Sequence, residues 1–278
     1  MIGKEGAGLR TLKVVLLGGW LIVTVFPFYW MLATSLKAPG AIAAYPLQYW
    51  PAQPTFVNYQ WLFTQSSFGT YVLNSLLVSV AAGVLATLIA MLSGYVLARF
   101  SFRGQGAVML AFLVTQMVPA FIALGALYQM MVKMSLVDNK LGLVVVYIAM
   151  CIPFSSIMLK GFFENVPQDI EEAAMVDGCN RVVALFRVIV PVMTPGILAT
   201  FIFNFVNCWN ELFLSVTLMN SDFNRTIPGA LNGFISSFNI EWGPLSAAAV
   251  LAVVPTMVLF AFASKYIVAG LTSGSTKG

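Results

Sequence analysis

Six stretches of this chain are almost free of charge, and they dictate its architecture. Residues 14–36, 71–98, 105–132, 141–159 and 244–264 hold no Asp, Glu, Lys or Arg, and residues 195–220 hold only Glu211. A helix rises about 1.5 Å per residue, so each stretch is long enough to cross the roughly 30 Å of hydrocarbon in a bilayer. Lipid offers the backbone no hydrogen bonds, so an apolar segment of this length satisfies its own amides as a helix. Hydrophobic residues make up 60% of the 278 and charged residues only 9%, whereas a soluble domain has about a quarter charged. The expectation is an all-α membrane protein with six transmembrane helices and no separate soluble domain.

The segments between the spans give the order of the chain. Residues 1–13, with Lys4, Arg10 and Lys13, form an N-terminal lead into the first transmembrane helix at 14–36. That run exceeds the roughly 7–15 residues of a signal-peptide core, so an uncleaved anchor is expected. Residues 37–70 are rich in Pro, Tyr, Trp and Gln and suit an irregular extracytoplasmic segment at the membrane interface, where Trp and Tyr anchor. A five-helix core is expected over 71–264, with a polar loop at 165–191, followed by a tail at 265–278. Pro27, Pro119, Pro153 and Pro255 fall inside four of the spans. Tolerated prolines in a bundle are expected there rather than hinges.

Six spans put both termini on one side. On that side lie Lys4, Arg10, Lys13, Arg99, Arg103, Lys160, Arg181, Arg187, Lys265 and Lys277, and on the other only Lys37, Lys133, Lys140 and Arg225. The bias places both termini and the 165–191 loop in the cytoplasm. The formal net charge of +4 is thus a matter of topology, and no nucleic-acid partner is expected.

The loop reads NVPQDIEEAAMVDGCNRVVALFRVIVP. Pro167 fits the first turn of a helix, and Asp169, Glu171 and Glu172 lie where carboxylates favour the positive end of the helix dipole. Gly178 offers a left-handed stop, Asn180 a cap for a second helix running through Val190, and Pro191 an interruption after it. Ala173 and Ala174, with Ile170 one turn earlier, form a flat face on which a groove of another protein can close.

Glu172-Ala173-Ala174, three residues, Gly178, and then Val188-Ile189-Val190-Pro191 resembles the EAA loop of the membrane subunits of ATP-binding-cassette importers. Val188 and Val190 stand where that pattern has Ile and Leu. Asp177 before Gly178 is similar to what carbohydrate importers of the maltose type carry, as is the run Trp209-Asn210-Glu211. The resemblance implies a permease subunit of a sugar importer. Its cytoplasmic coupling helix, between the fourth and fifth spans, would dock through Glu172, Ala173, Ala174, Asp177 and Gly178 into a separate ATPase. It also implies the partners: a second homologous permease, a dimer of ATPases that handles ATP and Mg, an extracytoplasmic solute-binding protein, and membrane lipid. The tail resembles the ends of such permeases, some of which reach the ATPase interface.

The residues themselves hold little chemistry. There is no His, which removes His-based catalysis and most zinc sites. No phosphate-cradling G-x-x-x-x-G-K-[ST] occurs, since Gly3-Lys4 is followed by Glu5. No catalytic residue, metal site or cofactor in this chain is expected. Cys151, Cys179 and Cys208 lack CxxC spacing, and no disulfide is expected from them. The fourteen Met read as gap-fillers in packed helices. Polar residues within the fifth span are the candidates for a translocation path: Asn204, Asn207, Asn210 and Glu211. Asn204, Asn207 and Glu211 are spaced by three and four, hence on one helix face. A packing role for Glu211 stays open beside this, and Trp209, off that face, reads as a packing residue. A permease for another solute, an intramembrane enzyme and a passive channel are the competing readings. Absence of a nucleophile–base pair argues against the enzyme, and a channel has no need of a coupling helix.

Overall fold

The computed structural model describes residues 7–235 and 240–272. The expectations for residues 1–6 and for the end of the tail, 273–278, lie outside the described residues. Within them the chain is helical, and the one pairing of β type is an isolated antiparallel bridge between Ile235 and Ile240. Four helices are long and apolar enough to cross a membrane, and two further pairs of helices become six with them if each bent pair counts as one span. The described residues within 1–68 and 233–254 form one compact unit, and those within 69–232 and 255–278 form another.

In the first unit, α1 (Ala7–Ser35) starts earlier than the uncharged run and takes in Arg10 and Lys13. Most of its length exposes large apolar side chains such as Leu17, Trp20 and Ile22, a surface that suits lipid. Its C-terminal end is buried and polar. Lys37 Nζ donates to the Gln48 carbonyl at 2.6 Å and stands 4.5 Å from the centre of the Trp30 ring. On α2 (Val57–Thr64), Asn58 Nδ2 donates to the carbonyls of Ser35 and Lys37, both at 2.8 Å. One buried amide thereby holds the chain where α1 ends. Gly243 lies so close that a Cβ there would sit 2.3 Å from Asn58 Oδ1.

The second unit is built on α3 (Phe68–Arg99) and α6 (Lys140–Glu164). Between them the expected third span is not one helix. It is α4 (Gln105–Met117) and α5 (Ala120–Lys133), bent by 101° at Val118–Pro119. Proline disfavours helical backbone in the residue before it; Val118 is extended, with φ −83° and ψ 115°. Pro153 and Pro255, by contrast, lie inside continuous helices, as does Pro27 in α1. The polar loop forms α7 (Gln168–Val176) and α8 (Arg181–Val192). The fifth span, α9 (Thr194–Asn210), ends ten residues before the expected boundary; a break at Glu211 and Leu212 precedes α10 (Phe213–Leu218). After α11 (Ile227–Gly233), α12 (Trp242–Thr272) closes the described chain. α6 packs against α4 and α9, and α10 against α5 and α6. Val78, Ala82, Met131, Leu143 and Tyr147 are buried in one core cluster, and Tyr95, Leu159, Phe163 and Ile189 in another.

Two features fix the turn between α5 and α6. Gly142 lets the chain fold back on itself, since a Cβ there would meet the Leu136 carbonyl oxygen at 2.3 Å. Asp138, at φ +55°, accepts the backbone amides of Asn220 and Ser221 at 3.0 Å each. Partial burial pushes its carboxyl pKa up, but the hydrogen bonds from Ser221, Asn220 and Asn224 outweigh that and leave it below the ordinary value of 3.8.

Gly142→Ala should therefore cost about 1–3 kcal/mol through overpacking against backbone and lower the melting temperature in detergent. Gly161→Ala, where a Cβ meets nothing within 4 Å, should leave it unchanged or raise it, because Ala is the better helix former. The Asp138 contribution has a definite sign: its folded pKa is depressed, so its stabilisation is full above 3.8 and fades as pH drops through the folded value. Melting curves between pH 5 and pH 3 should show less acid sensitivity for Asp138→Asn than for the wild type, starting from a lower value at pH 5.

Candidate functional site

The polar loop is shaped by its own caps. Pro167, extended at φ −55° and ψ 137°, immediately precedes the first turn of α7 and so serves as its cap residue. At the other end the Cys179 amide donates to the Ala174 carbonyl at 3.0 Å and the Gly178 amide to that of Met175 at 3.1 Å. This pair of bonds closes a helix around a left-handed residue, and Gly178 has φ +89° with no atom within 4 Å of where a Cβ would be. Asn180 then caps α8, its Oδ1 accepting the Val183 amide at 2.9 Å. Pro191 does not break α8. The helix widens into a π turn over Leu185–Ile189, in which the Val190 amide reaches the Leu185 carbonyl. That extra residue accommodates a proline that an unaltered α-helix would reject. The bend comes later, 78° between α8 and α9.

The two faces of α7 differ sharply. Ile170, Glu172, Ala173, Val176, Asp177 and Gly178 are exposed, while Glu171 and Ala174 are buried. The expected flat face is therefore made by Ile170 and Ala173, and Ala174 belongs to the side facing this chain. Glu171, 5% exposed, is what holds α7 down. Its carboxylate accepts the Tyr95 hydroxyl and, at 3.2 Å, the Nε of Arg99. The same guanidinium donates to the Val166 carbonyl at 2.8 Å, just before α7 begins. Tyr95 is wedged between the rings of Phe100 and Phe163 at 5.9 and 5.6 Å, and Arg181 of α8 lies 5.0 Å from the Phe100 ring. One buried ion pair thus joins the polar loop to the end of α3. Sequence reasoning grouped Glu171 with its acidic neighbours, and nothing in the local pattern sets it apart from Glu172.

The candidates in the fifth span fall into different places. Asn204 is fully buried, accepting Ser155 Oγ of α6 at 2.7 Å and donating to Thr87 Oγ of α3 at 3.1 Å, so it ties three helices together. Asn207 is exposed, donates to the Phe203 carbonyl at 3.0 Å, and lines a cavity of about 200 Å³. Asn210 is also exposed but lies outside that lining, its amide turned to the Val206 carbonyl at 2.9 Å. Glu211 leaves the helical stripe because α9 ends before it. Its carboxylate caps α10, accepting the amides of Leu214 at 2.9 Å and Ser215 at 3.2 Å, and the Tyr147 hydroxyl at 3.2 Å. Cap and cavity wall are the same residue. The rest of the lining is Gln116, Tyr147, Met150, Cys151, Phe154, Phe203 and Cys208, of which Gln116 carried no signal in its surroundings. Phe154 and Phe203 stack at 4.5 Å. Trp209 is buried and stacked on Phe205 at 5.5 Å, a packing residue. Among the described residues no group of His, Cys, Asp or Glu is placed to hold a metal.

Residues 86–273 match the family described as binding-protein-dependent transport system inner membrane component. The chain is 37% identical to the diacetylchitobiose uptake system permease protein DasC of Streptomyces coelicolor, over 91% of this chain and 92% of the relative. It is 33% identical to the sulfoquinovosyl glycerol transport system permease protein SmoH of Agrobacterium fabrum, over 93% and 90%. With the maltodextrin transport system permease protein MalD of Streptococcus pneumoniae it shares 29% over 97% and 96%. Its fold matches a chain in the crystal structure of a bacterial transporter that imports the polysaccharide alginate, with a TM-score of 0.83 at 19% identity over 96% of this chain and 99% of that one. Long apolar helices, a capped polar loop pinned to the bundle and similarity over nine-tenths of the chain lead to one conclusion: this protein belongs to the binding-protein-dependent transport system inner membrane component family.

Proposed function

We propose that the chain is one permease subunit of an ATP-driven importer of sugars or related polyols and forms half of the translocation pathway. The sugar reading rests on relatives whose names refer to diacetylchitobiose, maltodextrin and sulfoquinovosyl glycerol. In this reading α1, α3, the α4–α5 pair, α6, the α8–α9 pair and α12 are the six crossings of the cell membrane. Both termini and the 165–191 loop face the cytoplasm. ATP and Mg belong to a separate ATPase dimer. A second homologous permease completes the pathway, and an extracytoplasmic binding protein delivers the solute.

The observation that carries the proposal is the division of α7 into an exposed small-residue face and a buried carboxylate. Ile170 and Ala173, flanked by Glu172 and Asp177, are open to a partner, while Glu171 anchors the opposite side to Arg99 and Tyr95. A push from the ATPase on the outer face is then passed to α3 through the ion pair, and to α6 and α9 along the chain. Such a device works only if the ATPase's two shapes favour two different positions of α7. Asn207 contributes its amide to the path; Glu211 bounds it while holding α10 in place.

Three substitutions test the coupling, each in the reconstituted complex with ATP hydrolysis and uptake measured together. Glu172→Lys should repel or misplace the partner, and Gly178→Val should strain a left-handed position by about 1–2 kcal/mol. Glu171→Gln should leave the Arg99 guanidinium buried without its counter-charge, a change that costs about 3–5 kcal/mol where a buried pair is broken. All three should keep the apolar helices inserted but lower uptake per ATP hydrolysed, by about tenfold for a coupling free energy in the usual range. Unchanged ratios in all three would contradict the coupling role. Asn207→Ala should alter uptake while the ATPase still co-purifies, whereas an effect confined to co-purification would remove Asn207 from the path.

A further inference from the structure

Two of the three cysteines are placed together although 57 residues separate them in the chain. Cys151 of α6 and Cys208 of α9 have their sulfurs 3.7 Å apart, both thiols free. The side chains are 9% and 6% exposed, and both border the cavity of about 200 Å³ that Gln116, Asn207 and Glu211 also line. A water-sized solute that enters this cavity therefore meets two thiols already in contact. A disulfide needs its sulfurs at about 2.05 Å, so closing the bond brings two sulfurs already in contact at 3.7 Å closer together.

We propose that this pair is an oxidisable dithiol which a peroxide closes into a disulfide, fastening α6 to α9. The first sulfur attacks the peroxide, the O–O bond breaks, and a sulfenic acid and one water form. The second thiol then attacks the sulfenic sulfur and expels the hydroxyl as a second water. Two thiols lose two electrons and two protons, and the peroxide takes both. The consequence follows from position. α6 and α9 are the helices on either side of the α7–α8 loop, so a covalent bond between them opposes any rearrangement that the loop transmits. This second step rests on the transport reading above; the bond itself does not. Cys179, half-buried in the polar loop and outside the cavity lining, takes no part.

The whole complex in vesicles is treated with hydrogen peroxide, digested and analysed by mass spectrometry, with uptake measured before and after treatment and again after dithiothreitol. Expected is a linked pair of peptides containing Cys151 and Cys208, lighter by two hydrogens, with Cys179 still alkylated, together with loss of uptake that dithiothreitol restores. In Cys151→Ala and Cys208→Ala, each compared with its own untreated uptake, peroxide should have little effect. Absence of the linked peptides in the wild type overturns the dithiol. Linked peptides with undiminished uptake, or equal inhibition of wild type and variants, overturn the clamp. An untreated complex that takes up no sugar would instead tell against the transport reading and leave the peptide result to stand alone.

Discussion

A single buried carboxylate organises the polar loop of this permease. Glu171 is almost inaccessible, and a charge in such a place is tolerated only if paired and hydrogen-bonded. Arg99 and Tyr95 supply both conditions, and Arg99 also takes the Val166 carbonyl at the entrance to α7. The short helix has nine residues, too few to be stable alone in water. Its persistence depends on its caps and on this anchor. With Glu171 turned inward, the helical period turns Ile170 and Ala173 outward, so the anchor also decides which residues a partner can touch.

Interruptions of helices, rather than their lengths, shape the rest of the second unit. Val118–Pro119 splits one apolar stretch, the bend at Met193 separates α8 from α9, and Glu211 ends α9 and starts α10. Each break frees backbone groups that must find partners. At Glu211 the solution is visible, because the carboxylate takes the exposed amides of Leu214 and Ser215. The same side chain faces the cavity that Asn207 lines. A helix break there creates both the opening and the polar wall. Asn204, about two turns before that break, does the opposite work, closing α3, α6 and α9 around a buried hydrogen-bond network.

Much of this was legible in the residues. Uncharged runs announced the helices, and the polar loop announced its caps: Gly178 has the left-handed backbone and Asn180 the capping bond expected of them. These are local effects, determined within a few residues by sterics and by amide partners. Where the helices depart from the expected spans, the reason is shared. Hydropathy records that a stretch prefers lipid but not that it runs straight, so the α4–α5 bend and the early end of α9 left no trace in it. Pro191 shows the converse, a local breaker absorbed by a π turn.

By itself the sequence determined an all-helical, membrane-type chain with a capped acidic loop of the transporter kind, since hydrophobic length, turn chemistry and motif spacing are properties of contiguous residues. Only the tertiary structure decided which carboxylates are anchors and which are surface. Glu171 and Glu172 are neighbours with the same side chain. One is buried against Arg99 and the other exposed because of where α3 ends. Asn204 and Asn207 likewise differ by less than one helical turn, yet one locks the bundle and the other opens on a cavity. Burial depends on what packs from elsewhere in the chain, and no local pattern of residues contains that information.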